Sequence, residues 1–400
     1  MTLLLLLIIY LAFISLGLPD SLLGAAWPLM QKDFGVPLET AGILFMTIAG
    51  GTIVSSIVSG KVIKRFGTGK VTFFSGLLTA SALLGMYVAP SIIWMGVWSI
   101  LLGFGAGAVD TALNNYVANH YKAHHMSWLH SFWGVGATLG PVIIMAGFML
   151  GDGAWRNGYL TIAIIQFILA AILLISLPLW NNASNNREGG LSENTETLDD
   201  EPSREHTKPL HIKGVKLSLL TFLFYCGVET TVGLWGSSYL VNVKELSAAT
   251  AAQWVSFYWG GLTIGRFLTG FVTFKMSNTM LIRLGQIIAL VGAALLILPL
   301  PTTVSLVGFI MVGFGFAPIY PSMLHETPAR FGKTHSQTIM GYQMAVAYTG
   351  GTFIPPTLGL IASHTTIGIF PFFIVIFIIG MLLSSERLIA LLRKRASVFN

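Results

Sequence analysis

The chain has 400 residues, of which 54% are hydrophobic and 10% charged, with a mean hydropathy of +0.76 and a formal charge of +6. A soluble domain carries about a quarter charged residues, so a soluble enzyme is excluded, and the positive charge belongs to membrane topology rather than to a nucleic-acid partner. One cysteine, Cys226, permits neither an intramolecular disulfide nor a cysteine-based metal site; no metal or cofactor is expected.

Apolar runs of about 20 residues, long enough to cross a ~30 Å hydrocarbon layer as helices, divide the chain into twelve spans. The first six lie at 3–30, 40–62, 71–89, 92–118, 128–150 and 159–179. The opening run has no Ala-x-Ala cleavage pattern and reads as a retained helix, not a signal peptide. Residues 181–216 are rich in Asn, Glu, Asp and Ser without a hydrophobic period, and read as a flexible cytoplasmic linker. The second six spans lie at 217–241, 251–273, 280–298, 304–327, 337–362 and 367–388. The expected organisation is a six-helix bundle at 1–180, the linker, a second bundle at 217–390 and a tail at 391–400. Lys and Arg set the orientation. With the N-terminus inside, only Lys32, Arg156 and Lys244 fall outside, and the other nineteen of 22 fall at internal ends, loops or the tail. Both termini are then cytoplasmic, and the protein is expected as a multi-pass monomer of the cell membrane, with the lipid bilayer as its surroundings.

The halves repeat each other. Gly50-Gly51 recurs as Gly260-Gly261, Gly60 as Gly270, and Gly103-Phe104-Gly105 as Gly313-Phe314-Gly315, each at an offset of 210. Asp20-x3-Gly24 recurs as Glu229-x3-Gly233 at 209, and Gly136 with Pro141 as Gly350 with Pro355 at 214. Five matches in one order at nearly one offset indicate two six-helix units in parallel, with a binding site near the midplane between them.

Acids inside the spans carry the most information, because a carboxylate at a helix centre costs roughly 2.5–3.5 kcal/mol on insertion scales. Asp20, Asp110 and Glu229 each lie roughly 18–22 Å along the helix from a charged flank, counted at 1.5 Å per residue, and so near the midplane. An apolar setting penalises the charged form, which suits a group that takes a proton on one side and releases it on the other. The bland alternative is a structural carboxylate bonded to neighbouring helices. Polar and aromatic residues accompany the acids. Asp20, Gly24 and Trp27 share a helical face, as do Asp110 and Asn114, with Asn115 beside them. His130 and Trp133 share a face of span 5, and Tyr225 and Glu229 one of span 7, with Trp235 further along. Tyr320 stands where Asp110 stands in the first half, and Tyr342 and Gln343 are the polar residues of span 11. Amides and acids meet hydroxyls, and aromatic faces cover C–H patches, so the set suits a sugar or polyol; each aromatic alone is as readily a packing residue. His124-His125 suggest a metal pair, though a cytoplasmic loop without an acidic partner is the simpler reading. His325-Glu326 reads either as a gate pair or as a solvated helix end.

The loop Gly60-Lys-Val-Ile-Lys64-Arg65-Phe-Gly67 resembles the major facilitator signature at Gly60, Arg65 and Gly67, but has Lys64 where the pattern has Asp. The resemblance implies a gating role for Gly60, Arg65 and Gly67, while the charge-pair role of the missing Asp is not carried over. With the repeats, it implies an all-α membrane protein of twelve transmembrane helices in two pseudo-symmetric bundles. Asp20, Asp110, Tyr225-x-Gly227-x-Glu229-x5-Trp235 and Gly315-Phe-Ala-Pro318-Ile-Tyr320-Pro321 resemble the fucose–proton symporter branch. This resemblance implies sugar recognition and proton coupling by the acids of spans 1 and 4; sodium-coupled hexose carriers look similar. The expected function is therefore proton-coupled symport of a sugar or related small polar solute by alternating access, with protons and that solute as partners. Proton-driven efflux of amphipathic compounds is the alternative, suggested by Gly136-Ala-Thr-Leu-Gly140-Pro141. No HExxH, Gly-x-Ser-x-Gly or nucleotide loop supports a membrane enzyme.

Overall fold

The computed structural model describes residues 2–121, 123–148, 154–188, 209–273 and 275–396. Most of the expected linker, Lys122 and the last four residues lie outside them, as do the side chains of His124 and Lys333. Among the described residues the chain forms twelve long helices. In the first half these are α1 (Thr2–Asp20 and Leu22–Phe34), α2 (Thr40–Phe66), α3 (Thr68–Tyr87), α4 (Ile92–His120), α5 (Ala123–Phe148) and α6 (Ala154–Glu188). In the second they are α7 (Val215–Asn242), α8 (Ala248–Val272), α9 (Asn278–Ile297), α10 (Thr302–Phe316 and Ile319–His325), α11 (Lys333–His364) and α12 (Phe370–Ala396). A short helix, Thr327–Phe331, joins α10 to α11.

Ten of the twelve are long and apolar enough to cross a membrane on length and composition alone. The other two, α8 and α11, carry polar residues such as Gln253 and Arg266, or Gln337 and Gln343, within their length. The helix α6 runs past the expected end at 179 to Glu188, and a 3-10 turn at Pro209–His211 precedes α7, so part of the segment read as flexible linker is regular. Nothing in its first eight residues stops a helix; Gly189 and Gly190 are the first breakers in sequence.

Two helices are interrupted, each beside proline. In α1 the break falls at Ser21, after Pro19; in α10 it falls at Ala317-Pro318. Proline removes a ladder N–H and collides with the preceding turn, so the breaks place Asp20 and Tyr320 at helix joints, which membrane proteins tolerate where a cavity is lined.

The packing repeats with the sequence. In the first half α1 lies on α5, α2 on α4, and α3 on α4 and α6; in the second α7 lies on α11, α8 on α10, and α9 on α10 and α12. The repeated glycines make these contacts. A Cβ at Gly51 would lie 2.8 Å from the Ile100 carbonyl, and one at Gly261 would lie 2.8 Å from the Ile310 carbonyl. At Gly103 it would collide with the Ile48 carbonyl, and at Gly313 with that of Tyr258, again 210 residues on. Between the halves α1 meets α7, α5 meets α8, and α2 meets α11. At the first of these a Cβ on Gly24 would collide with the Gly233 carbonyl. Two residues that are each other's equivalents touch, so the pseudo-twofold axis passes between them.

Candidate functional site

Asp20 ends the first segment of α1, exposed at the joint, and its Oδ2 accepts a hydrogen bond from Trp133 Nε1 of α5 at 2.7 Å. On α4, Asn114 Nδ2 donates to Asp110 Oδ1 at 2.8 Å and to the Asp110 carbonyl at 3.0 Å. The i, i+4 spacing puts that amide over the acid one turn back. The two carboxylates are electrostatic neighbours, and the exposed Tyr348 of α11 lies within reach of both. Asn115 and His130 are exposed, and His130 meets Phe13 edge-on at 6.0 Å.

The second half answers with a buried ion pair. Arg266 Nη2 of α8 donates to Glu229 Oε1 of α7 at 2.9 Å. Tyr225 OH donates to the same oxygen at 3.1 Å, and Tyr258 OH donates to the Glu229 carbonyl at 3.0 Å. An acid enclosed to this degree needs a cation and further donors to offset its lost hydration. The guanidinium lies 5.8 Å from the Trp133 ring centroid, and Trp133 meets Trp259 edge to face at 5.8 Å and 87°. Trp133 thus bonds the acid of its own half and stacks under the cation of the other. Tyr320 completes this wall, tilted against Tyr225 at 5.8 Å and edge-on to Phe222 at 5.4 Å.

The halves are joined on one side of this set. Thr138 Oγ1 and Thr263 Oγ1 lie 3.3 Å apart, Ser256 Oγ donates to the Thr138 carbonyl at 2.9 Å, and Gly42 packs on Pro356. These contacts lie away from the face that bears the linker, at the start of α2 and toward the end of α5. Toward the linker face the halves part, leaving Asp20, His130 and Tyr348 exposed although they neighbour charged or aromatic groups.

Several expected site residues lie elsewhere. Trp27 is fully buried in the core. Trp235 is fully buried and donates to the Pro355 carbonyl at 2.7 Å, packing α7 on α11. Gln343 is fully buried: it donates to Ser218 Oγ at 2.8 Å and accepts from Thr327 Oγ1 at 3.0 Å. These three are packing residues here. Tyr225 is fully buried against Glu229, and Tyr342 is half-buried.

At the α2–α3 joint Gly67 has φ +82°, which suits glycine. The Arg65 guanidinium lies 5.4 Å over the ring of its neighbour Phe66, and a Cβ on Gly60 would meet nothing within 4 Å. Near the linker face, charge clamps stand in the second half. Arg283 binds Glu386 bidentately at 2.6 and 2.7 Å, tying α9 to α12. Asn278 lies 3.1 Å from His325 Nδ1 and donates to Glu326 Oε1 at 3.0 Å, and Arg330 pairs with Glu326 at 3.3 Å. His325 and Glu326 therefore act within their own half.

Sequence reasoning missed Arg266, Tyr258, Trp259 and Tyr348. Arg266 carried a signal, an arginine inside an apolar span, but its position in the inner part of that span merged it with the topological charges. The aromatic residues carried none, since their faces depend on how helices rotate in the bundle.

Residues 9–356 match the Major Facilitator Superfamily. The chain belongs to that superfamily, and so is a multi-pass membrane transporter rather than an enzyme. It is 27% identical over 301 residues to the glucose/mannose transporter GlcP of Bacillus subtilis (strain 168), covering 72% of each chain. It is 23% identical over 287 residues to a glucose/galactose transporter of Brucella abortus biovar 1 (strain 9-941), covering 66% of this chain and 64% of the other. A crystal structure of a D-xylose-proton symporter superposes with a TM-score of 0.74 at 13% identity, covering 96% of each chain. At that identity the likeness concerns the fold.

Proposed function

We propose that the chain carries a sugar or related small polar solute across the cell membrane together with protons, by alternating access. One observation carries the reading: Trp133 bonds Asp20 of the first half and lies against the Arg266–Glu229 pair of the second, with Asp110, held by Asn114, an electrostatic neighbour of Asp20. Uncompensated acids at this depth are costly unless they face water, a ligand or a proton. Hydroxyls suit them, because each donates to a carboxylate and accepts from an arginine. The names of the two sequence relatives support a hexose-type substrate, and that of the structural neighbour supports proton coupling. The resemblance to the fucose–proton branch supports Asp20 for the substrate and Asp110 for the proton.

Efflux of amphipathic compounds rested on the Gly136–Pro141 run. In the fold Gly136 packs on the Ile14 carbonyl and Gly140 on Leu18 and Ser21, so helix packing accounts for that run. The test is uptake of radiolabelled D-glucose, D-galactose, D-mannose and L-fucose into reconstituted vesicles. An inward proton gradient is expected to drive accumulation that a protonophore abolishes. Accumulation driven by sodium alone would reject proton coupling. Failure to move any sugar, with export of a cationic dye instead, would reject the whole reading.

A further inference from the structure

We propose that Arg266 anchors a substrate oxygen on the second half and that Glu229 holds it there, an inference that rests on the sugar-transport reading above. The arginine has 16% of its side chain exposed, at the edge of the space between the halves. The protein uses only Nη2, which donates to Glu229 Oε1 at 2.9 Å and to the Tyr225 hydroxyl at 3.4 Å. Among the described residues Nε and Nη1 meet no acceptor, and neither is sealed from solvent. Trp133, fixed through its N–H by Asp20, holds the guanidinium over its ring at 5.8 Å and so limits where those donors point.

The ligand class follows from the charge count. Glu229 balances Arg266, so the subsite offers N–H donors without net charge, which suits a hydroxyl oxygen. The facing half offers acceptors in Asp20, Asp110 and the Asn114 amide oxygen. A neutral polyhydroxy compound satisfies both walls at once, since its hydroxyls can donate to the acids and accept from the arginine. A sugar carboxylate would approach two acids of its own charge, and an apolar compound would leave the arginine donors unpaired. Glu229 is then a positioning residue, its Oε1 occupied by two donors.

The test compares wild type with the charge-balanced variant Glu229→Gln/Arg266→Gln, because removing Arg266 alone strands a buried carboxylate. The probes are D-glucose, its five singly deoxygenated analogues and D-glucuronate, with equilibrium binding as readout. In wild type one analogue, lacking the oxygen that meets Arg266, is expected to bind about tenfold or more weakly than glucose, and glucuronate to bind more weakly than glucose. In the double variant glucose should fall to the level of that analogue, which itself should not change. That convergence marks a lost contact; general damage would weaken all ligands alike. A variant that binds every probe as wild type does, or loses affinity equally for all, overturns the subsite while leaving sugar transport standing. If wild type prefers D-galactose, D-mannose or L-fucose to glucose, the same series is built on that sugar; wild-type protein that binds none of the four overturns the transport reading and the subsite with it.

Discussion

Asp110 and Asp20 differ in what they touch, and neutralising them should have different consequences. Asp110 meets an amide one turn away on its own helix, whereas Asp20 is held by Trp133 of another helix. Asp110→Asn keeps the shape but removes the titratable group. It is expected to abolish proton-driven accumulation while preserving exchange of sugar between the two sides of a vesicle. Wild-type accumulation by the folded variant would remove Asp110 from coupling. Asp20→Asn still offers Trp133 an acceptor but loses the charge, and sugar affinity should fall about tenfold in equilibrium binding; unchanged affinity would relieve Asp20 of that role. Arg266→Gln alone leaves Glu229 buried without its cation, a loss of about 3–5 kcal/mol, whereas Glu229→Gln/Arg266→Gln should recover most of it in thermal melts. Equal melting of the single and double variants would show that the unpaired Glu229 carboxylate carries no penalty. At this scale the sequence marked the acids, since charge in an apolar run is visible without a fold. It did not foresee the burial of Trp27 and Trp235, because a helical wheel cannot tell which face a neighbour covers.

Among the elements, the repeated glycines separate into packing and open positions. Gly103 and Gly313 sit against a backbone carbonyl of the neighbouring helix, while Gly60 and Gly270, also a repeated pair, have nothing within 4 Å of a built Cβ. A methyl group at either packed site forces the helices apart, which typically costs about 1–3 kcal/mol. Gly103→Ala and Gly313→Ala should therefore melt earlier than wild type by similar amounts, and Gly60→Ala and Gly270→Ala should match wild type or exceed it slightly, as alanine favours helix. A drop for the open pair equal to that for the packed pair would refute the close-packing role. The offset of 210 was legible in sequence because both halves need glycine at the same crossings. The two helix breaks were less so: proline marks where a helix can break, but Pro28 and Pro141 lie within unbroken segments.

For the whole molecule, alternating access requires the joined side to part. Gly42 and Pro356 meet there, with 3.1 Å between the Cβ built on Gly42 and that of Pro356, slightly under the ~3.5–4.5 Å of a disulfide. In a protein with Cys226→Ala, the pair Gly42→Cys/Pro356→Cys is expected to cross-link on oxidation with small adjustment. Cross-linking should stop sugar uptake, and reduction should restore it; uptake at full rate by the cross-linked protein would exclude this movement. Orientation is tested separately. The basic residues outside the spans gather on one expected side, so cysteines placed at Asn194 and Asn400 should label only from the cytoplasm. Labelling of either in intact cells by an impermeant reagent would reverse the topology.

The sequence by itself determined the membrane, the number of helices, the repeat and the acids. Each follows from hydrophobic length, charge placement or internal similarity, which are properties of the chain read one residue after another. Only the tertiary structure decided that Glu229 pairs with Arg266, that Trp133 links both halves, and that Trp27, Trp235 and Gln343 belong to the core. Those outcomes depend on how each helix is rotated and which helix it meets. In a bilayer, where most faces are apolar and hydrophobicity does not distinguish lipid from neighbour, that rotation is set by close packing and polar pairing between residues far apart in the chain.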